Sequence, residues 1–245
     1  MSAHPEITVH ALPPSHPCMT VRAALDRKGL AYELQNMDMG KHNEQMAEIY
    51  GEGNVTVPGA VIDGEPVHGS TAILAKLEQL YAEPSLYPEP NAAAIREAEE
   101  WGDGHLQDLG RRLPWGVMYF RPEAMGTFAG GDPLDPAGTD FAMRFIRASW
   151  KYHKITAERL AADLASLPEQ IAHIESLAAD GIIGGDEPNA ADLQIGATIR
   201  VLLPIGDLKP LLEGTQAERI ALANFPDYPG HVPAGAFPAG WVPFS

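Results

Sequence analysis

Three places in this 245-residue chain put chemically useful side chains where a helix or strand should begin. The first is Ser15-His16-Pro17-Cys18. A helix N-terminus carries partial positive charge and free N–H groups. A thiolate placed there is stabilised and its pKa falls, and Ser15 is near enough in sequence to donate a hydrogen bond to a sulfur. The same residues also read as structure alone, Ser15 as a helix cap and Cys18 as a small buried residue. The second place is Thr56-Val57-Pro58, at the entry to a strand. A cis Val57–Pro58 bond would turn the Val57 N–H and C=O outward to a ligand, although only about 5–6% of X–Pro bonds are cis. The third is Gly69-Ser70-Thr71-Ala72-Ile73. Ser70 there reads as an N-cap and equally as a seat for a carboxylate, because helix N-termini bind anions.

These groups need elements to hold them. Residues 6–12 read as a strand, 18–28 as a helix with Gly29 just past its end, and 30–34 as a second strand parallel to the first. A short helix is expected around 44–50. Asp63-Gly64 joins Pro58–Ile62 to Pro66–Val67 as a hairpin, and a helix follows over 70–81. The order is βαβ-α-ββα. Residues 83–90, EPSLYPEP, carry three prolines and mark a boundary. Beyond it the apolar period is helical, over 92–113, 139–153, 156–179, 190–203 and 208–223, with 121–138 as a loop. Asn189 and Asp192 form a capping box with Asp in place of Glu at the start of an apolar helix. That role is structural.

Composition narrows the function. The net charge of −16 repels phosphate backbones and anionic lipid heads, so neither nucleic acid nor membrane is an expected partner. One cysteine allows no intrachain disulfide or dithiol cycle and fits a cytoplasmic setting. The N-terminal segment has no signal-peptide pattern, and no stretch is long and apolar enough for a membrane span. The nine histidines show no paired spacing with a third ligand, so no metal is expected. The Gly-rich stretch 126–138 lacks the lysine of a phosphate loop.

Four segments together resemble the cytosolic glutathione S-transferase superfamily: Ser15–Glu33, Val57–Gly64, Ser70–Leu74 and Gly185–Leu193. The resemblance implies an α/β thioredoxin-like N-terminal domain followed by an all-α helical bundle. It sets a thiol-binding domain at 1–82, a linker at 83–91, a helical domain at 92–225 and a Pro/aromatic-rich tail at 226–245. Ser15 matches the hydroxyl that activates the glutathione thiol in serine-type members, and Cys18 matches the second cysteine of C-P-x-C relatives. Val57 matches the residue whose backbone pairs with the cysteinyl unit, and Pro58 the family's cis proline. Ser70 matches the serine that holds the γ-glutamyl carboxylate. The pattern departs at Gly69, where the family has Glu or Gln as partner for the γ-glutamyl ammonium.

The implied activity is transfer of a small thiol, glutathione or an analogue as co-substrate, to an electrophile. Trp101, His105, Trp115, Met118 and Tyr119 are the candidates to line the electrophile pocket, where the long helix meets the N-terminal domain. Two other readings share the fold: a non-catalytic member that binds a ligand or partner, favoured by Gly69, and a glutathione-dependent disulfide reductase using Cys18. A homodimer is expected by analogy. Three roles are open for the tail residues Phe237, Trp241 and Phe244: lid over the site, packing on the N-terminal domain, or disorder.

Overall fold

The structure, a computed structural model, describes residues 5–13, 15–227 and 230–243. Phe244 lies outside these residues. The N-terminal part runs β1 (Ile7–Ala11), α1 (His16–Arg27), β2 (Glu33–Asn36), α2 (His42–Tyr50), β3 (Gly59–Ile62), β4 (Glu65–His68) and α3 (Ser70–Leu80). The strands lie in the order β2-β1-β3-β4. β1 and β2 are parallel, as a helical crossover requires, and the other two pairings are antiparallel. Asp63 and Gly64 both take positive φ at the hairpin tip, which suits a two-residue turn. The second strand starts later than its apolar residues suggest. Leu30 is taken up in the end of α1, its N–H donating to Leu25, and all four residues of the edge strand β2 are exposed.

The rest is helical. α4 (Ala92–Trp101) continues through a single π-helical turn, Gly102–Leu106, into α5 (Gln107–Phe120). The helix thus runs past Leu113, its expected end, and Pro114 is buried inside α5. The expected loop 121–138 contains a short helix, α6 (Ala124–Phe128), and the start of α7 (Pro136–Tyr152). Then come α8 (Ala157–Ala179) and α9 (Ala190–Leu202). A 3-10 turn (Gly206–Leu208), α10 (Lys209–Leu212) and α11 (Gln216–Asn224) divide the segment expected as one helix over 208–223.

α9 is the central beam, with every residue from Ala190 to Leu202 buried. Its capping box is complete. Asn189 Oδ1 accepts from the N–H groups of Ala191 and Asp192, and Asp192 Oδ2 accepts from the Asn189 N–H. The Thr20 hydroxyl of α1 donates to the Leu193 carbonyl at 3.3 Å, joining the two parts of the chain. One continuous apolar core includes Val9, Val21, Leu25 and Ile73 together with Leu106, Leu113, Ile195 and Ile199. The linker is docked rather than loose. Leu86 and Tyr87 are buried, and the Lys28 ammonium of α1 binds Glu78 and the carbonyls of Tyr81 and Pro84.

The described part of the tail packs on the helical part of the chain. Asp207 accepts from the N–H groups of Gly235, Ala236 and Phe237, and residue 205 bridges to 232. Phe237 is buried and Trp241 packs edge-on against Phe120, so the described tail belongs to the helical part. Among the described residues no helix is long and apolar enough to cross a membrane.

Candidate functional site

The sheet register gathers the sequence motifs at one end. His10 near the end of β1 pairs with Gly59 at the start of β3, and Gly59 pairs with His68 at the end of β4. Ser15 follows β1, Val57 precedes β3 and Ser70 follows β4, so all three emerge at this same edge.

Ser15 occupies the N-cap position of α1, yet its side chain caps nothing. Its backbone N–H is satisfied by the Leu12 carbonyl at 2.8 Å. The half-buried hydroxyl instead hydrogen-bonds the Cys18 thiol. Cys18 does not follow the expectation for a thiol at a helix start. It is 3% exposed, and burial pushes its pKa up although the Ser15 hydrogen bond pulls the other way. The helix field is outweighed by loss of water. Beside it, His16 is buried with Nε2 unpartnered, and burial and the Arg111 charge lower its pKa to about 3.

The Val57–Pro58 bond is cis. Thr56 and Pro58 on either side use their carbonyls, accepting from His68 Nε2 at 2.7 Å and from the Gly69 N–H at 3.0 Å. Among the described residues no intramolecular hydrogen bond engages the N–H or C=O of half-buried Val57. Both are free to pair with an extended ligand.

The N-cap of α3 is Gly69, not Ser70. Gly69 has φ of 92°, a conformation that L side chains rarely adopt, and a Cβ there would meet nothing within 4 Å. A side chain at 69 would therefore project into open space. Ser70 is 4% exposed, and its hydroxyl donates to Asp103 Oδ1 at 3.2 Å. The same oxygen accepts from Gln107 Nε2 at 2.9 Å and Gln194 Nε2 at 3.2 Å. Asp103 sits in the π-helical turn, a feature frequent at functional sites. Gly102 beside it lets α9 approach closely, since a Cβ there would lie 3.2 Å from Gln194 Cγ. Sequence reading missed Asp103, Gln107 and Gln194. The available signal was the i, i+4 spacing of Asp103 and Gln107 on one helix face, next to glycines.

The candidate electrophile residues are not brought together. Trp101 stacks on His105 and meets His173 edge-on at 4.5 Å, a cluster shared with α8. Tyr119 packs on Trp150 at 4.1 Å, and Trp150 donates to the Trp115 carbonyl. Met118 is buried. An aromatic stripe on this helix serves mainly the packing of the helices. Among the described residues no group of three or more His, Cys, Asp or Glu is placed to hold a metal ion.

Comparison with known proteins gives a family match for the N-terminal part and fold matches for most of the chain. Residues 9–85 match the family model for the glutathione S-transferase N-terminal domain. Among solved structures, the beta-etherase from Sphingobium sp. strain SYK-6 superposes with a TM-score of 0.61 at 19% identity, over 89% of this chain and 93% of that one. A glutathione S-transferase from Rhodospirillum rubrum gives a TM-score of 0.55 at 21% identity, over 89% and 86%. One from Methylobacterium radiotolerans, solved with glutathione sulfonate, gives 0.54 at 19% identity, over 93% and 96%. A search of the curated proteins returns no significant match.

Proposed function

We propose that the protein binds glutathione or a close analogue and joins it through its sulfur to an electrophile, a reading supported by the match of residues 9–85 to the glutathione S-transferase N-terminal domain and by the fold of the whole chain. The observation that carries this reading is the convergence, at one end of the sheet, of a hydroxyl that caps nothing (Ser15), a free N–H and C=O pair (Val57) and a helix-start serine tied to a carboxylate (Ser70 and Asp103).

Each group has a role set by its chemistry. The Val57 backbone holds the cysteinyl unit of the thiol in extended form, which fixes the sulfur beside Ser15. The Ser15 O–H turns from Cys18 to the ligand sulfur and donates to it, favouring the thiolate. The start of α1 adds its positive field. The sulfur pair then forms the bond to the electrophilic carbon, and the displaced pair leaves with the acceptor's departing group. The γ-glutamyl carboxylate takes the N-terminal turn of α3. Asp103 supplies the negative charge that Gly69 lacks and receives the ammonium. A homodimer in the cytoplasm belongs to the same reading.

The test is Ser15→Ala. A charge-assisted hydrogen bond worth about 1.5–3 kcal/mol is lost, so the bound thiol should ionise about one to two pH units higher. An unchanged profile, read from thiolate absorbance of the complex, removes Ser15 from the mechanism.

A second reading, a binding protein without catalysis, is favoured by one observation: the Ser70 hydroxyl is already engaged by Asp103. Calorimetry with glutathione, followed by turnover of standard electrophiles, separates the two. The buried, poorly acidic Cys18 argues against the disulfide reductase.

A further inference from the structure

A second polar cavity, of about 270 Å³, opens beside α5 and the α7–α8 connection. Arg111, Arg112, Lys154, Arg159, His153, Tyr152 and Asp108 line it. Four of the 17 basic residues of a chain with net charge −16 thus converge on one small space. We propose that this cavity is a binding site for a small anion carrying phosphate or carboxylate oxygens.

The floor is built and satisfied. Arg112 is buried, and its Nε and Nη2 donate to the two Asp163 oxygens at 2.6 and 2.9 Å, while Nη1 donates to Asp108 at 2.6 Å. Arg111 leans on the Gln107 amide oxygen and lies 3.6 Å from Asp108. Two carboxylates therefore answer the two floor arginines. The rim is not answered. Lys154 and Arg159 are exposed and enter no ion pair among the described residues. Two positive charges are left over at the mouth, where an incoming anion needs them.

Two further observations point the same way. Lys154 holds φ of 52° just past α7, at the position that glycine usually fills after a helix. A lysine kept in that conformation is an outlier of the kind that gathers at ligand sites. His153 is held neutral, its pKa lowered to about 4 by burial and then by the Arg111 charge. A neutral imidazole and the Tyr152 hydroxyl supply uncharged donors, which suits an oxygen-rich ligand more than a chloride ion. A chain of hydrogen bonds also links the lining of the cavity to the site at the end of the sheet. Asp103, Gln107 and Arg111 follow at i, i+4 and i+8, and hydrogen bonds run from Ser70 through Asp103 and Gln107 to Arg111.

The anion site itself does not rest on the thiol reading; only the turnover arm below, which separates the sources of the anion, does. Inorganic phosphate and succinate are titrated calorimetrically into the full chain at constant ionic strength, with chloride as the control. The anion has two conceivable sources, a free metabolite or the acceptor's own charged group. A second arm therefore compares turnover of a neutral and a carboxylate-bearing electrophile. Saturable binding of phosphate or succinate is expected, weakened about tenfold or more in Lys154→Ala/Arg159→Ala by the loss of charged hydrogen bonds. Both side chains are exposed and unpaired, so this variant keeps its melting temperature and its affinity for glutathione. A free metabolite leaves the two electrophiles equally affected by the double change; the acceptor's own group makes only the charged one suffer. Absence of saturable binding by wild type, or equal binding by the double variant, overturns the site.

Discussion

The Ser70 hydroxyl and the Asp103 carboxylate meet at 3.2 Å, although 33 residues of chain separate them. The start of α3 and the π-helical turn of the long helix are joined at one oxygen. That oxygen is a fixed negative charge bonded to the residue next to Gly69.

Asp103→Asn keeps the shape and removes the charge. Affinity for glutathione should fall about tenfold or more, since a hydrogen bond to a charged group is worth about 1.5–3 kcal/mol. The melting temperature should move little. Calorimetry and thermal melts check the pair of outcomes, and an unchanged Kd would show that the ammonium lies elsewhere.

Placing a carboxylate side chain at 69 should act in two directions. Gly69→Glu forces a side chain onto φ of 92°, a backbone state costing about 1–3 kcal/mol. The carboxylate projects into free space and should tighten glutathione binding. A lower denaturant midpoint with a lower Kd is the expected combination.

Glu99 gives a pH signature. It is 2% exposed, and burial raises its pKa to about 7 against the Tyr87 hydrogen bond. A carboxyl raised on folding contributes stability below its unfolded value, near 4.5, and loses it as pH climbs through 7. Glu99→Gln should therefore be more stable than wild type at pH 8, by up to about 3 kcal/mol. The advantage should vanish toward pH 4. Urea midpoints across this range measure it.

Gly110 is where α5 meets α1 and α9. A Cβ there would stand 2.7 Å from Thr198 Cγ2 and 3.2 Å from His16 Nε2. Gly110→Ala should destabilise by about 1–3 kcal/mol through overpacking. Gly104→Ala, whose Cβ meets nothing within 4 Å, should be neutral or gain up to about 1 kcal/mol from helix propensity. Chemical denaturation with an unchanged m-value distinguishes the two.

Asp207 holds the tail by three backbone N–H groups. Asp207→Ala should free residues 230–243 and raise amide exchange at 235–237 by about tenfold or more, as charged hydrogen bonds are lost. Exchange in α9 should not change.

The features legible in sequence were those written in local chemistry. Asp63-Gly64 announced its hairpin, and Asn189 with Asp192 announced a buried helix start. Ser15, Val57 and Ser70 stood out as candidates because each stands at an element boundary. What the sequence hid was set by tertiary contact. Asp103 is one acid among 33 until the fold sets it against residues 33 positions before it and 91 after it. β2 lacks an alternating pattern because neither of its faces is buried. The expected end at Leu113 falls short because α5 runs on through Pro114, whose ring removes one backbone donor but which is buried within the helix.

Closing the turn at Gly102–Leu106 through the Gln107 N–H takes five residues where an ordinary turn takes four. The helix has in effect absorbed a one-residue insertion. Deleting that residue would swing one half of the helix about 100° against the other. Either Ile95 would keep its register with the core or Leu113 would, but not both. A homologue shortened by one position here must therefore have rebuilt an entire helix face, so the length of this turn is a marker of descent that point substitution alone does not erase.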